Sequence, residues 1–298
     1  MAILIDKNTK VIVQGITGRE GSLRSKYMKE YGTKVVAGTS PGRGGQEVNG
    51  IPVYNTVKEA VRDHGAIDMS VTFIPGPGVK MATFEAIDAG VKTIVGPVER
   101  VPLHDIMAIM AVAKKAGVTI VGPGSIGVIT PGQAVAGWLG GNVDWANELF
   151  TPGHIGVLSR SGGESGTVPW VLQNGGFGVS TAIHTGTEPI LGMSFADFLL
   201  RFEEDEQTLA VAAFGEIGGS QEEEAAEVIK SGKVTKPFVI YIAGAAAPEG
   251  QRFSHASAIV ERGRGSVKGK VEALKEAGAY PVDTPKNIVP TLKRLLNR

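Results

Sequence analysis

Short apolar, β-branched runs alternate along this chain with longer stretches of helical period, and most of the runs end in glycine or proline. Residues 10–14 (KVIVQ) predict a strand, and the helical pattern that follows runs through residue 31. Residues 34–38, 71–74, 92–95 and 118–121 repeat the strand signal, with helical stretches to residue 89 and over 105–116 between them. Strands spaced this way predict a parallel sheet covered by helices on both faces. The pattern weakens over 127–153, which reads as a connection. It restarts with strands at 155–158, 181–184, 209–214 and 238–242, helices to about 174, over 195–202 and over 267–277, and a last strand and helix. The predicted class is α/β. A Rossmann-type domain over 1–126 precedes a smaller, flavodoxin-like domain over 154–298.

With 298 residues the chain is long enough for two such domains. Glycine, at 42 residues, is about twice its ordinary share, and most of it sits after strand-like runs, as tight strand-to-helix turns require. A formal net charge of zero argues against nucleic acid or an anionic membrane as the main partner. The absence of cysteine excludes disulfides, thiolate metal sites and cysteine nucleophiles. The first ten residues have no signal-peptide pattern, and no apolar run reaches the roughly 18 residues of a membrane span. A cytoplasmic location is the expectation.

The turns carry the candidate chemistry. Gly15-Ile16-Thr17-Gly18-Arg19-Glu20-Gly21 stands between strand and helix, where glycines admit a phosphate and a helix N-terminus supplies N–H donors. Its spacing is G-x-x-G-x-x-G, not the dinucleotide G-x-G-x-x-G, and a turn without ligand is the plain alternative. After the second strand a nicotinamide enzyme would place an acidic residue. This chain has Arg43 in a proline-glycine turn, which suits a ligand whose adenosine carries an extra phosphate, NADP or coenzyme A, or is simply a solvated cation. Ser161, Gly162 and Gly163 form a second anion-ready turn, with Ser161 as a helix cap in the plainer reading. His255 lies in a loop of small residues after a strand, open enough for a nucleophile that carries a phosphoryl group. Glu216, between glycines at a strand's end, is placed to orient an imidazole. No Walker P-loop occurs, so a nucleotide would sit on another subunit.

With ILIDKNTKVIVQGITGREG, SPGRGG, GVITPG, VLSRSG, GEIGG and the His255 loop in this order, the chain resembles the α subunits of succinyl-CoA synthetases over nearly its whole length. The resemblance implies a CoA-binding domain followed by a ligase domain. It also implies an ATP-grasp β subunit, in a heterodimer or heterotetramer, that binds ATP or GTP with Mg2+, and a small dicarboxylic acid as substrate. His255 matches the phosphorylated histidine and Glu216 its supporting glutamate. Thr17, Gly18, Arg19 and Glu20 match one coenzyme A segment, Pro97, Val98 and Glu99 another, and Arg43 stands where the family has lysine. Ser161, Gly162, Gly163 and Gly166 fall on the acid site, with Gly166 in place of the family's tyrosine. The SRSGG turn and residues 229–237 look more like ATP-citrate lyase and citryl-CoA synthetase, so citrate or another larger dicarboxylate stands as the alternative acid. A CoA-binding protein of this fold without turnover is a further alternative.

Overall fold

The computed structural model of the chain describes residues 3–246 and 265–297. Its first half runs β1 (Val11–Gln14), α1 (Arg19–Tyr31), β2 (Val35–Thr39), β3 (Glu47–Val48), β4 (Ile51–Tyr54), α2 (Val57–His64), β5 (Met69–Thr72), α3 (Gly76–Asp88), β6 (Thr93–Val95), α4 (Leu103–Ala116) and β7 (Thr119–Val121). These strands form one sheet in the order β3-β4-β2-β1-β5-β6-β7. All neighbours are parallel except the short β3, which pairs antiparallel with β4 at the edge. Without β3 this is the doubly wound order 3-2-1-4-5-6, in which the chain changes direction between β1 and β5. All four residues of β1 are buried, as a central parallel strand requires. Val11 and Val13 feed one core, and Ile12 feeds the other with Ala37, Ile94 and Ile106. The helix that covers this strand, α1, ends at Gly32, whose φ of 112° and two backbone N–H bonds close the last turn.

The second half contributes β8 (Gly127–Thr130), β9 (Ala134–Gly137), α5 (Val143–Leu149), β10 (Pro152–Ser159), α6 (Thr167–Asn174), β11 (Val179–His184), α7 (Phe195–Glu204), β12 (Ala210–Glu216), α8 (Gln221–Lys230), β13 (Phe238–Ala243), α9 (Val267–Glu276), β14 (Tyr280–Val282) and α10 (Ile288–Leu295). The sheet order is β14-β13-β12-β10-β11-β8-β9. From β10 to β14 the strands are parallel and follow the flavodoxin order 2-1-3-4-5, with the change of direction between β10 and β12. Helix α7 shows why the core forms here. Phe195, Phe198, Leu199 and Phe202 recur at helical spacing and are fully buried, each contributing about 1.5–3 kcal/mol by leaving water. Ser194 and Asp197 close its N-terminus with a capping box.

Residues 127–153, expected as a connection, hold more structure than their periodicity suggests. β8 and β9 form an antiparallel hairpin that extends the second sheet through β11, and α5 follows. The hairpin lies against α1 of the first half. Thr33 Oγ1 donates to the Val135 carbonyl at 2.7 Å and accepts from the Val135 N–H at 2.9 Å, and the Tyr27 hydroxyl donates to the Leu139 carbonyl. One buried cluster runs from Val11 and Met28 through Val135 to Phe198, so the two sheets share a core.

Candidate functional site

In doubly wound sheets ligands bind beyond the carboxyl ends of the strands, where the order changes direction. In the first sheet that point lies between Gln14 and Thr72, which are paired in register. The segments leaving this pair are Gly15–Gly21 and Phe73–Pro75, and Gly18–Gly21 of the first lines a cavity of about 440 Å³ together with the second. Gly15 has φ +82°, and a Cβ there would collide with the Phe73 carbonyl oxygen. A Cβ on Gly21 would collide with the Gly15 carbonyl. The outer glycines of the motif are therefore needed for the close approach of three backbone segments, and Gly18 is the N-cap of α1. Gly18, Arg19, Glu20, Pro97 and Val98 all line the cavity, so two segments read separately in the sequence meet there. Phe73, Ile74, Pro75 and Trp138 complete it, with the Phe73 and Trp138 rings 6.1 Å apart. Arg24 lies 4.9 Å from the Trp138 ring and 3.2 Å from Glu20, a cation over an aromatic face. An apolar wall beside a helix N-terminus fits a ligand with both a flat or aliphatic part and phosphates.

Three residues singled out in the sequence stand off this cavity. Thr17 donates from its hydroxyl to Ser40 Oγ at 2.9 Å, tying the turn to the end of β2. Arg43 is exposed in the turn after β2, where its N–H donates to the Ser40 carbonyl. Glu99 points to the second half, and its carboxylate accepts from Thr187 Oγ1 at 3.0 Å. The neighbouring Arg100 N–H donates to the buried Glu188 carboxylate. Through these bonds the Pro97–Val98 wall rests on the loop after β11.

The second sheet changes direction between β10 and β12, and Ser159 pairs with Phe214 there. Ser161 follows β10 by two residues, in the loop beyond its end, and Glu216 is the last residue of β12, so both lie past this pair at the carboxyl edge. Ser161 Oγ accepts from the Glu164 N–H at 3.4 Å, while the Ser161 carbonyl accepts from Ser159 Oγ and Ser165 Oγ. Gly163–Gly166 is a short 3-10 turn that runs straight into α6. A Cβ at Gly163 would meet nothing within 4 Å, and one at Gly166 would come only to 3.5 Å from Leu149. Beneath the edge His184 is fully buried, with Nδ1 accepting from the Ile126 N–H at 2.9 Å and Nε2 donating to the Arg160 carbonyl at 3.1 Å. It serves as a strand residue, as its sequence context suggested.

A buried ionic cluster underlies Glu216, and the sequence did not announce it. Arg160, Glu222 and Lys270 are fully buried. Arg160 Nη1 lies 3.1 Å from Glu222 Oε2, and Lys270 Nζ pairs with the same oxygen and with Glu223 at 2.7 Å. Burial alone would push the Glu222 carboxyl up, but the two cations outweigh it and hold it below the ordinary range. The acidic run at the start of α8 is thus more than a favourable first turn. His255 lies outside the described residues. The described chain on either side of it meets the Glu216 turn: Gly244 packs on Ile217, and the Gly265 carbonyl accepts from the Gly218 N–H at 2.8 Å.

A larger groove of about 730 Å³ opens at the amino end of β7, between α4 and α7. None of the residues of the two glycine turns lines it, and Lys114, Asp197, Arg201 and Glu204 are its charged residues. No helix among the described residues is long and apolar enough to cross a membrane.

Residues 6–96 match the CoA binding domain family and residues 158–280 the CoA-ligase family. The succinate–CoA ligase [ADP-forming] α subunit of Aquifex aeolicus is 46% identical over 298 residues, covering 99% of this chain and 95% of the relative. A subunit of the ADP-forming sulfoacetate–CoA ligase of Bilophila wadsworthia is 43% identical over 296 residues, covering 99% of this chain and all of the relative. Among solved structures, ATP citrate lyase from Methanothrix soehngenii in complex with citrate and coenzyme A superposes with a TM-score of 0.89 at 25% identity. That match covers 99% of this chain but spans only 51% of the lyase chain. A CoA-binding half and a ligase half in this order, with a full-length α-subunit relative at 46% identity, place the chain in the succinate–CoA ligase α-subunit family of acid–thiol ligases.

Proposed function

We propose that the chain is the α subunit of a nucleotide-dependent ligase that joins a small dianionic acid to coenzyme A through an acyl phosphate and a phosphohistidine at His255. The observation that supports this reading is the β10–β12 pair, whose last paired residues, Ser159 and Phe214, lead directly into the Ser161 turn and to Glu216 where the second sheet changes direction. Both described ends of the His255 segment meet the Glu216 turn. Glu216 accepts a hydrogen bond from one imidazole nitrogen, leaving the other to take phosphorus from ATP or GTP. N–H groups at the Ser161–Gly163 turn and the start of α6 receive the dianion. The phosphoryl group passes to the acid's carboxylate, and the thiol of coenzyme A displaces phosphate from the acyl phosphate. Thr17, Gly18, Arg19, Glu20, Arg43, Pro97, Val98 and Glu99 serve coenzyme A, of which Glu99 acts through the loop it anchors. An ATP-grasp β subunit holds the nucleotide and Mg2+.

For the acid, succinate leads on the names of the full-length relatives. A second reading takes a bulkier or differently charged diacid. Gly166 favours it, since its φ of −88° needs no glycine and its missing side chain leaves space by Leu149. The sulfoacetate relative widens the class in the same direction.

The test uses the chain with its β partner, labelled ATP or GTP with Mg2+, and a panel of acids. Acid-labile phosphate should appear on the chain, vanish in His255→Asn, and be discharged by coenzyme A plus a diacid. Label that persists in His255→Asn, or thioesters formed only from acids with a single negative charge, would contradict the proposal.

A further inference from the structure

Glu216 is held at both ends of its own residue. Its N–H donates to Glu222 Oε1 at 3.0 Å, and its carbonyl accepts from Arg160 Nη1 at 2.9 Å. The same guanidinium donates to the Gly218 carbonyl at 2.7 Å. Lys270, from α9, donates to the Gly219 carbonyl at 3.1 Å and ion-pairs with Glu222. Three elements far apart in sequence converge in this way on the single turn 216–219.

Ion pairs this deeply buried add little net stability, because the desolvation of each charge offsets their attraction, and apolar side chains of similar shape would hold the fold as well. What apolar groups lack is directional hydrogen bonding to particular peptide groups. Here those groups belong to Glu216 and the two glycines after it. We infer that Glu222 is a positioning residue for the ligase reaction: its carboxylate fixes the Glu216 peptide directly, and fixes the rest of the turn through Arg160 and Lys270. The inference rests on the reading of Glu216 as the partner of the reacting imidazole.

Two double variants separate positioning from stability. E222Q/K270M and E222M/K270M each remove one buried anion and one buried cation, so both keep the charge balance. Only glutamine keeps an oxygen to accept from the Glu216 N–H. The measurements, on the complex with the β partner, are the rate of labelled-phosphate uptake from ATP, the thermal midpoint, and a crystal structure of each variant. The two midpoints should agree closely. The glutamine variant should stay within about threefold of the native rate. The methionine variant should lose about tenfold or more, with the Glu216 carboxylate displaced, since misplacement by about 1 Å can cost two orders of magnitude.

Glu222→Asp provides a second route that needs no charge rebalancing. It keeps the charge but draws the carboxylate back by one methylene, and should lower the rate while leaving the midpoint near native. Rates that fall together in the two doubles, or stay native in both, overturn the inference. If the native complex takes up no phosphate, the ligase reading fails. The Glu216 placement in the two crystal structures then still decides whether Glu222 positions it.

Discussion

Glu222 is ionised and without solvent contact between two cations, and this gives the molecule a titration signature. Its carboxyl lies below its ordinary value of 4.5 in the folded chain. The stability it contributes is complete above that value and is lost as the pH falls from there through the lower folded value. Removing one partner from a buried ionic cluster leaves uncompensated charge and costs about 3–5 kcal/mol. Glu222→Gln is therefore expected to be much less stable than the native chain in urea unfolding at neutral pH. The two stabilities should converge in acid, where the native carboxylate takes up its proton. Equal losses at every pH would mean that the charge of Glu222 is not what the cluster needs. At this scale the sequence was uneven. The glycines of 15–21 could be read because their spacing answers a backbone requirement that is local. Arg160, Glu222 and Lys270 could not, because their pairings are made 62 and 48 residues apart, by strand order rather than by neighbours in the chain.

Strands and helices were read more evenly than residues. β1, β6 and β7 are short β-branched runs closed by glycine, and helical period returns after β1, β5 and β6, so a doubly wound sheet followed from pattern alone. The β8–β9 hairpin escaped because its two strands are four residues each, flanked by glycines, and too short to show a period. That omission mattered, since the hairpin delivers Trp138 to the cavity of the other sheet. Trp145 and Trp170 are exposed elsewhere and can be replaced by phenylalanine to leave Trp138 as the single indole reporter. Coenzyme A should then change the fluorescence of Trp138 in proportion to occupancy. Trp138→Ala should weaken binding by about 1–3 kcal/mol if the indole stacks on the base. No change in emission at saturating coenzyme A would place the ligand elsewhere.

The two sheets behave as parts of one body because polar contacts cross between them at the same edge as the cavity. Glu99 and Thr187 make such a contact at 3.0 Å, next to the Pro97–Val98 wall. Thr187→Val removes the hydroxyl with little change of shape. It is expected to cost about 1 kcal/mol of stability, the worth of an ordinary hydrogen bond, and to weaken coenzyme A binding in titration calorimetry. Thr187→Ser should restore both, and a valine variant with native affinity would show that the wall stands without this support. The cavity's lining has a wider consequence. Gly18 and Phe73 belong to the first sheet's turns, whereas Trp138 follows the last strand of the second. A molecule seated there would act as mortar between the two halves: part of its binding energy would become cohesion, and anything that pried them apart would have to expel it first.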